Sequence, residues 1–198
     1  MKAIVKKFLA FALVLIIPGA TVQALDTAGP KASVETTIEK ARAMVNQPGV
    51  DINSPAFRGE FEKVIFEIFD FNEMSRRSLG KNWKTASSEE KSRFVDLFSQ
   101  LLSKTYMNRV INGFPNSTIK YGEEKVSTKK ASLKTKIVSD GENINVNYRL
   151  KKGAESWRVY DIVIENVSLV SNYRSEFAGI IRKDNMAGLI TMLENKLK

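Results

Sequence analysis

The sequence predicts an α+β domain in which helices pack over an antiparallel sheet of about four strands. Two changes of period carry this reading. Up to Pro115 the apolar residues recur every three or four positions; beyond it they alternate with polar ones as far as Leu150, a strand with apolar side chains on both faces follows to Glu165, and helical spacing then returns. A third signal is Asp140-Gly141, which sits between two alternating runs as a tight hairpin turn needs it to.

Taken in order, Val34, Ile38, Ala41 and Val45 predict a helix over 32–46, ended by Pro48-Gly49. Phe61, Val64, Ile65, Ile68, Phe69 and Phe71 make a wide apolar stripe on a helix running from about Ala56 through Met74. So many phenylalanines on one short helix imply a large surface to cover. Leu79-Gly80 breaks the pattern, and Ser87 with Glu90 at capping-box spacing opens the next helix. That helix carries Phe94, Leu97, Phe98 and Leu101 on one side, with Leu102, Tyr106 and Val110 beside them. Strands follow at Ile119 and Tyr121, at Leu133 to Ile137, at Ile144 to Leu150 and at Trp157 to Glu165. In the last of these, alternation puts Tyr160, Ile162 and Ile164 on one face and Val159 and Val163 on the other. Ser168 caps a closing helix that bears Tyr173 and Phe177. Lys134, Lys136, Arg149 and Lys152 lie on a wet face or at hairpin tips, so the opposite face meets the helices.

Residues 1–24 read as a secretory signal peptide. Lys2, Lys6 and Lys7 precede an apolar run from Phe8 to Ile17, and Val22-Gln23-Ala24 ends in a small-residue cleavage site. Residues 25–198 then form one domain with no further run fit to cross a bilayer. The formal charge is +9, from 31 basic and 22 acidic residues; without the three leader lysines it is 28 − 22 = +6. Export places such a chain away from nucleic acid, leaving anionic lipid or acidic protein as charged partners.

The chain has no His and no Cys. This excludes Ser-His-Asp and Cys-His nucleophile systems, the usual zinc ligand sets and disulfides. The carboxylate pairs Glu89-Glu90 and Glu123-Glu124 are adjacent in sequence and read as solvated charge. Asp51-Ile52-Asn53 starts like a calcium loop but lacks the later Gly and Glu. No catalytic residue, metal ligand or cofactor is expected, and function rests on apolar surface.

Two stretches resemble a known family. W-R-V-Y-D-I-V-I-E-N-V-S-L-V-S-N-Y-R-S-E-F, Trp157 to Phe177, is similar to the closing signature of the MlaC family, also called the toluene-tolerance auxiliary family. Phe69 to Trp83 and Ala86 to Tyr106 resemble its F-D … L-G … W … F … F … L … Y run. Asn166 and Asn185 stand where the family often has Gly, and Asn is the residue that best keeps such turns. The resemblance implies a curved, NTF2-like sheet under helices with an apolar cavity between them, and a periplasmic carrier of phospholipid as cargo. It further implies exchange with an outer-membrane lipoprotein-porin complex and an inner-membrane ABC transporter bearing a membrane-anchored ring, maintaining outer-membrane lipid asymmetry.

A lipid pocket needs apolar walls. The inward faces that supply them are Ile144, Val146 and Tyr148 on one strand and Tyr160, Ile162 and Ile164 on the next. Phe94, Phe98, Leu101 and Tyr106 come from one helix, Phe177 and Ile181 from another. Two alternatives stand beside this reading: a carrier of another apolar lipid such as a hopanoid, and a structural or adaptor domain whose core is simply filled.

Overall fold

The computed structural model describes residues 29–139 and 141–198. The expected signal peptide lies outside these residues.

Helix α1, Pro30–Val45, starts on a proline and buries Val34, Ile38, Ala41 and Val45. Helix α2, Pro55–Phe66, is capped by Ser54, whose hydroxyl accepts the Phe57 amide. The single helix expected from Ala56 through Met74 is in fact two. Asp70 caps α3, Phe71–Leu79, by accepting the Glu73 amide at 2.9 Å. Between α2 and α3 the chain runs extended along a strand edge: Val159 N donates to Ile68 O, and Asp70 N donates to Val159 O, both at 2.8 Å. The apolar period continues through this break because α2 and α3 each face a part of the core and Phe69 between them packs against both parts, so period alone did not expose it.

A one-turn helix α4, Asn82–Thr85, leads to α5, Ser88–Gly113, where Ser87 and Glu90 form the capping box reciprocally. The sheet then builds as a meander, β1 Ser117–Val126, β2 Lys130–Ser139, β3 Glu142–Lys152, β4 Trp157–Ile164 and the two-residue β5 Val167–Ser168, in spatial order β1-β2-β3-β4-β5. All neighbouring pairs are antiparallel. Ser139 pairs with Glu142, and Gly141 in the connection between them has φ 82°. Asn166 turns β4 into β5 with φ 66°.

Helix α6, Leu169–Leu197, is capped by Ser168 and kinks at Asn185, which has φ 56° and ψ −170°. The Asn185 side chain accepts the Gly188 amide at 3.2 Å and so starts the second half of the helix. Both asparagines that stand in for the family's glycines therefore carry positive φ.

One irregularity reorganises the last full strand. Arg149 pairs with Asp161 but Leu150 pairs with Val159, so Tyr160 is an extra residue with nothing opposite it. The simple alternation expected for β4 is corrected accordingly. Val159 joins the same packed group as Ile162, while Tyr160 turns toward α3 and α6.

The core has two parts. One gathers α1, α2, the end of α5 and the inner sheet face around Phe61, Ile111, Leu133, Leu150 and Val159, each with no exposed surface. The other gathers α3, the first half of α5 and α6 around Phe94, Phe98, Phe177, Leu189 and Leu193.

Candidate functional site: an apolar seam under the sheet

Strand register places four rows of side chains on the face turned to the helices: Ile119, Ile137 and Ile144; Tyr121, Thr135, Val146 and Ile164; Leu133, Tyr148 and Ile162; and Ala131, Leu150 and Val159. Cover is complete at one end of the face and thins toward the other. Leu133, Leu150 and Val159 are fully buried, whereas Ile119, Tyr121, Ile137, Ile144, Tyr148 and Ile162 are half-buried and Ile164 is 39% exposed. Ile137 and Ile144 join neither packed cluster.

The facing wall comes from α2 and the segment after it. Phe57, Val64, Ile65, Phe66, Phe69 and Phe71 are likewise half-buried. Phe66 lies 4.6 Å from Phe71 and 6.4 Å from Phe69, centroid to centroid, so these rings form one connected patch. A sealed core hides such side chains; here two apolar walls meet along a seam that still touches water.

The polar groups on the sheet side of the seam are Tyr121, Thr135 and Tyr148, and the α1 charges Lys31, Glu35, Glu39 and Arg42 act on Tyr121. Tyr121 Oη is buried without a hydrogen-bond partner among the described residues, and burial pushes the Tyr121 phenol up to about 12. Burial likewise pushes Tyr148 up to about 12, with the Thr135 side chain opposing it. Thr135 spends its own hydroxyl proton on Val146 O at 2.8 Å. Both phenols therefore stay neutral near pH 7. They are hydrogen-bond partners for a ligand and carry no charge that would repel an apolar one.

The residues expected to line a cavity divide into three groups. Tyr148 and Ile162 lie in the seam. Phe94, Phe98, Leu101, Tyr160 and Phe177 are built into the second cluster, with Tyr106 and Ile181 at its rim. There the Phe94, Phe98, Tyr173 and Phe177 rings interlock at centroid distances of 5.1 to 5.6 Å. Ile144, Val146 and Ile164 are on the seam face but outside both clusters. The α2 wall and Tyr121 were absent from the expected lining, although the phenylalanine-rich stripe was the signal for that wall.

The apolar surface expected to face a ligand lies in this seam, among the protein's own half-buried side chains. Grooves of about 760 and 650 Å³ lie elsewhere, on the outer side of α5. The first is lined by Glu89, Glu90, Asp96 and Glu194, a charged lining unsuited to acyl chains. No helix among the described residues is long and apolar enough to cross a membrane.

Comparison with known proteins accords with this arrangement. A phospholipid-binding protein from Ralstonia solanacearum, solved in complex with a phospholipid, superposes with a TM-score of 0.73 at 25% identity, covering 86% of this chain and 97% of that one. The intermembrane phospholipid transport system binding protein MlaC of Haemophilus influenzae is 26% identical over 122 residues, 59% of this chain and 56% of that protein's length. The pattern that defines the MlaC protein family matches residues 35–195, and the chain belongs to that family.

Proposed function

We propose that this protein is a phospholipid carrier of the periplasm, taking up lipid at one membrane and giving it up at the other to maintain outer-membrane lipid asymmetry. The observation that carries the reading is the seam, in which half-buried apolar side chains from the sheet and from α2 pack into one group that still touches water. Membership of the MlaC family and the likeness to a lipid-bound structure support it. The absence of His and Cys leaves binding as the natural role.

Acyl chains entering the seam displace Phe57 and Phe66 and complete the cover over Tyr148 and Ile162. Each buried methylene contributes about 0.8 kcal/mol, so two ordinary chains gain roughly 20 kcal/mol before ordering costs. That lies near the ceiling of non-covalent affinity. Spontaneous release into water is therefore slow, and delivery requires a partner that opens the seam. An outer-membrane lipoprotein-porin complex and an inner-membrane ABC transporter with a membrane-anchored ring are the partners that the family resemblance implies.

Lipid extraction and mass spectrometry of the purified protein test the proposal. Phospholipid masses at a fixed ratio to protein are expected. A lipid-free protein that also takes no phospholipid from vesicles would overturn it, and a sterol-like mass would assign a different apolar cargo.

A further inference from the structure

The outer face of the sheet holds a feature that lipid carriage does not use. Strand alternation puts Arg149 and Asp161 on the face opposite Tyr148 and Ile162. There a pocket of about 180 Å³ opens between β4 and the start of α6, walled by Arg77, Arg149 and Arg174 with Tyr160, Asp161 and Ser171. Three guanidinium groups converge on one small concavity.

Arg77 and Arg149 are held in place while keeping donors free. Arg77 bonds Glu73 through Nε and Nη2, both at 2.8 Å, and its guanidinium lies 4.0 Å above the Tyr160 ring centroid. The bulge that turns Tyr160 to this side provides that platform. Arg149 spends Nη1 on Asp161 Oδ2 at 2.9 Å. Arg174 is exposed, has no hydrogen bond or ion pair among the described residues, and lies along Gly80, where a Cβ would come within 2.7 Å of its Nε. Gly80 has φ 56°, a backbone conformation that favours glycine. A guanidinium has five N–H donors, so most of the donors in this pocket remain unspent on protein.

The charges do not balance within the protein. Asp161 is the pocket's one carboxylate, and its oxygens already accept from Arg149, the Ser168 hydroxyl and the Val170 amide. Behind the pocket, Glu73 is shared among Arg76, Arg77 and Lys151. Counting Arg76, Arg77, Arg149, Lys151 and Arg174 against Asp70, Glu73 and Asp161 gives +5 − 3 = +2. The N-terminus of α6 adds its positive dipole end.

We infer that this pocket is an anion-binding site for a phosphate-type oxyanion. Planar forks of N–H donors around a net positive concavity match a tetrahedral oxyanion with several acceptors. At about 180 Å³ the space falls below the roughly 300 Å³ typical of a pocket for a drug-sized molecule, so it takes a phosphate group and leaves the rest of the ligand outside. The phosphate comes either from a small soluble compound or from a lipid head group at a membrane surface. Because the site is across the sheet from the seam, it stands whether or not the seam carries lipid.

Calorimetric titration with inorganic phosphate at low ionic strength tests the site in wild type, Arg174→Ala and Ser171→Asp. Arg174 is exposed and unpaired, and an acidic residue in the first turn of α6 suits the helix dipole, so both variants keep the wild-type melting temperature. Saturable binding is expected in the wild type, about tenfold weaker in Arg174→Ala and lost in Ser171→Asp. No saturable binding to the wild type, or equal binding by all three, overturns the site. Sedimentation with phosphatidylglycerol vesicles then separates the sources. A parallel loss in the variants assigns a lipid head group, and unchanged sedimentation alongside weakened phosphate binding assigns a soluble phosphate compound.

Discussion

Arg149 and Asp161 face each other across β3 and β4, Nη1 to Oδ2 at 2.9 Å, and the same carboxylate accepts the Ser168 hydroxyl at 2.7 Å and the Val170 amide at 3.1 Å. One buried side chain thus ties the bulged strand to the first turn of α6. Asp161 is 3% exposed and Arg149 46%.

That asymmetry sets the outcome of replacing each partner. Asp161→Ala strips three hydrogen bonds and leaves the Val170 amide buried, at a cost of about 2–3 kcal/mol. Arg149→Ala costs about 1 kcal/mol, because Asp161 keeps two donors and the arginine is half in water. Urea unfolding of the two variants checks the order; equal losses would contradict it.

Glu73 predicts an acid-side loss of stability. The Arg76 hydrogen bond is the largest cause, with Arg77 adding to it against the effect of burial, and together they lower the carboxyl from 4.5 to about 2. A folded-state value below the unfolded one stabilises the protein fully above about 4.5, and this contribution is lost as pH falls from there toward about 2. Glu73→Gln should be less stable than wild type by about 1–2 kcal/mol at neutral pH, a figure reduced because the Arg76 and Lys151 side chains are 50% and 43% exposed. The difference should shrink across that acid window in urea titrations.

Seam and sealed core respond differently to substitution. Phe98, fully buried among Phe94, Tyr173 and Phe177, should cost about 3–5 kcal/mol when replaced by Ala. Ile162→Asn, in the half-buried seam, should cost about 1–2 kcal/mol yet lower the lipid retained per protein several-fold. Melting curves paired with lipid mass spectrometry separate the two; an Ile162→Asn protein with full lipid content would remove Ile162 from the site.

At Asn185 the backbone occupies a region that costs a side chain about 1–3 kcal/mol. Asn185→Gly should therefore stabilise the protein by about 1 kcal/mol, since losing the contact to the Gly188 amide costs only a few tenths at such a cap. A fall in melting temperature would show that the cap outweighs the strain.

Much of this architecture was legible residue by residue. The Ser87–Glu90 capping box, the Ser168 cap and the turn at Gly141 each depend on a few neighbouring residues, and local chemistry was enough to place them, while the family resemblance pointed to the turns at Asn166 and Asn185. The two packed faces were also legible as periods of apolar residues. Three features depended on contacts distant in sequence. The break at Ile68 to Asp70 exists because that segment pairs with Val159, some ninety positions away. The extra residue Tyr160 shifts the side-chain alternation of β4, so Val159 faces the seam and Tyr160 faces Arg77. The residues expected to share one cavity wall are divided between a seam and a filled core by the same long-range packing. Apolar pattern determines that a side chain is hidden from water, but strand register and helix placement decide what it is hidden against, because one inserted residue reverses a face without altering composition.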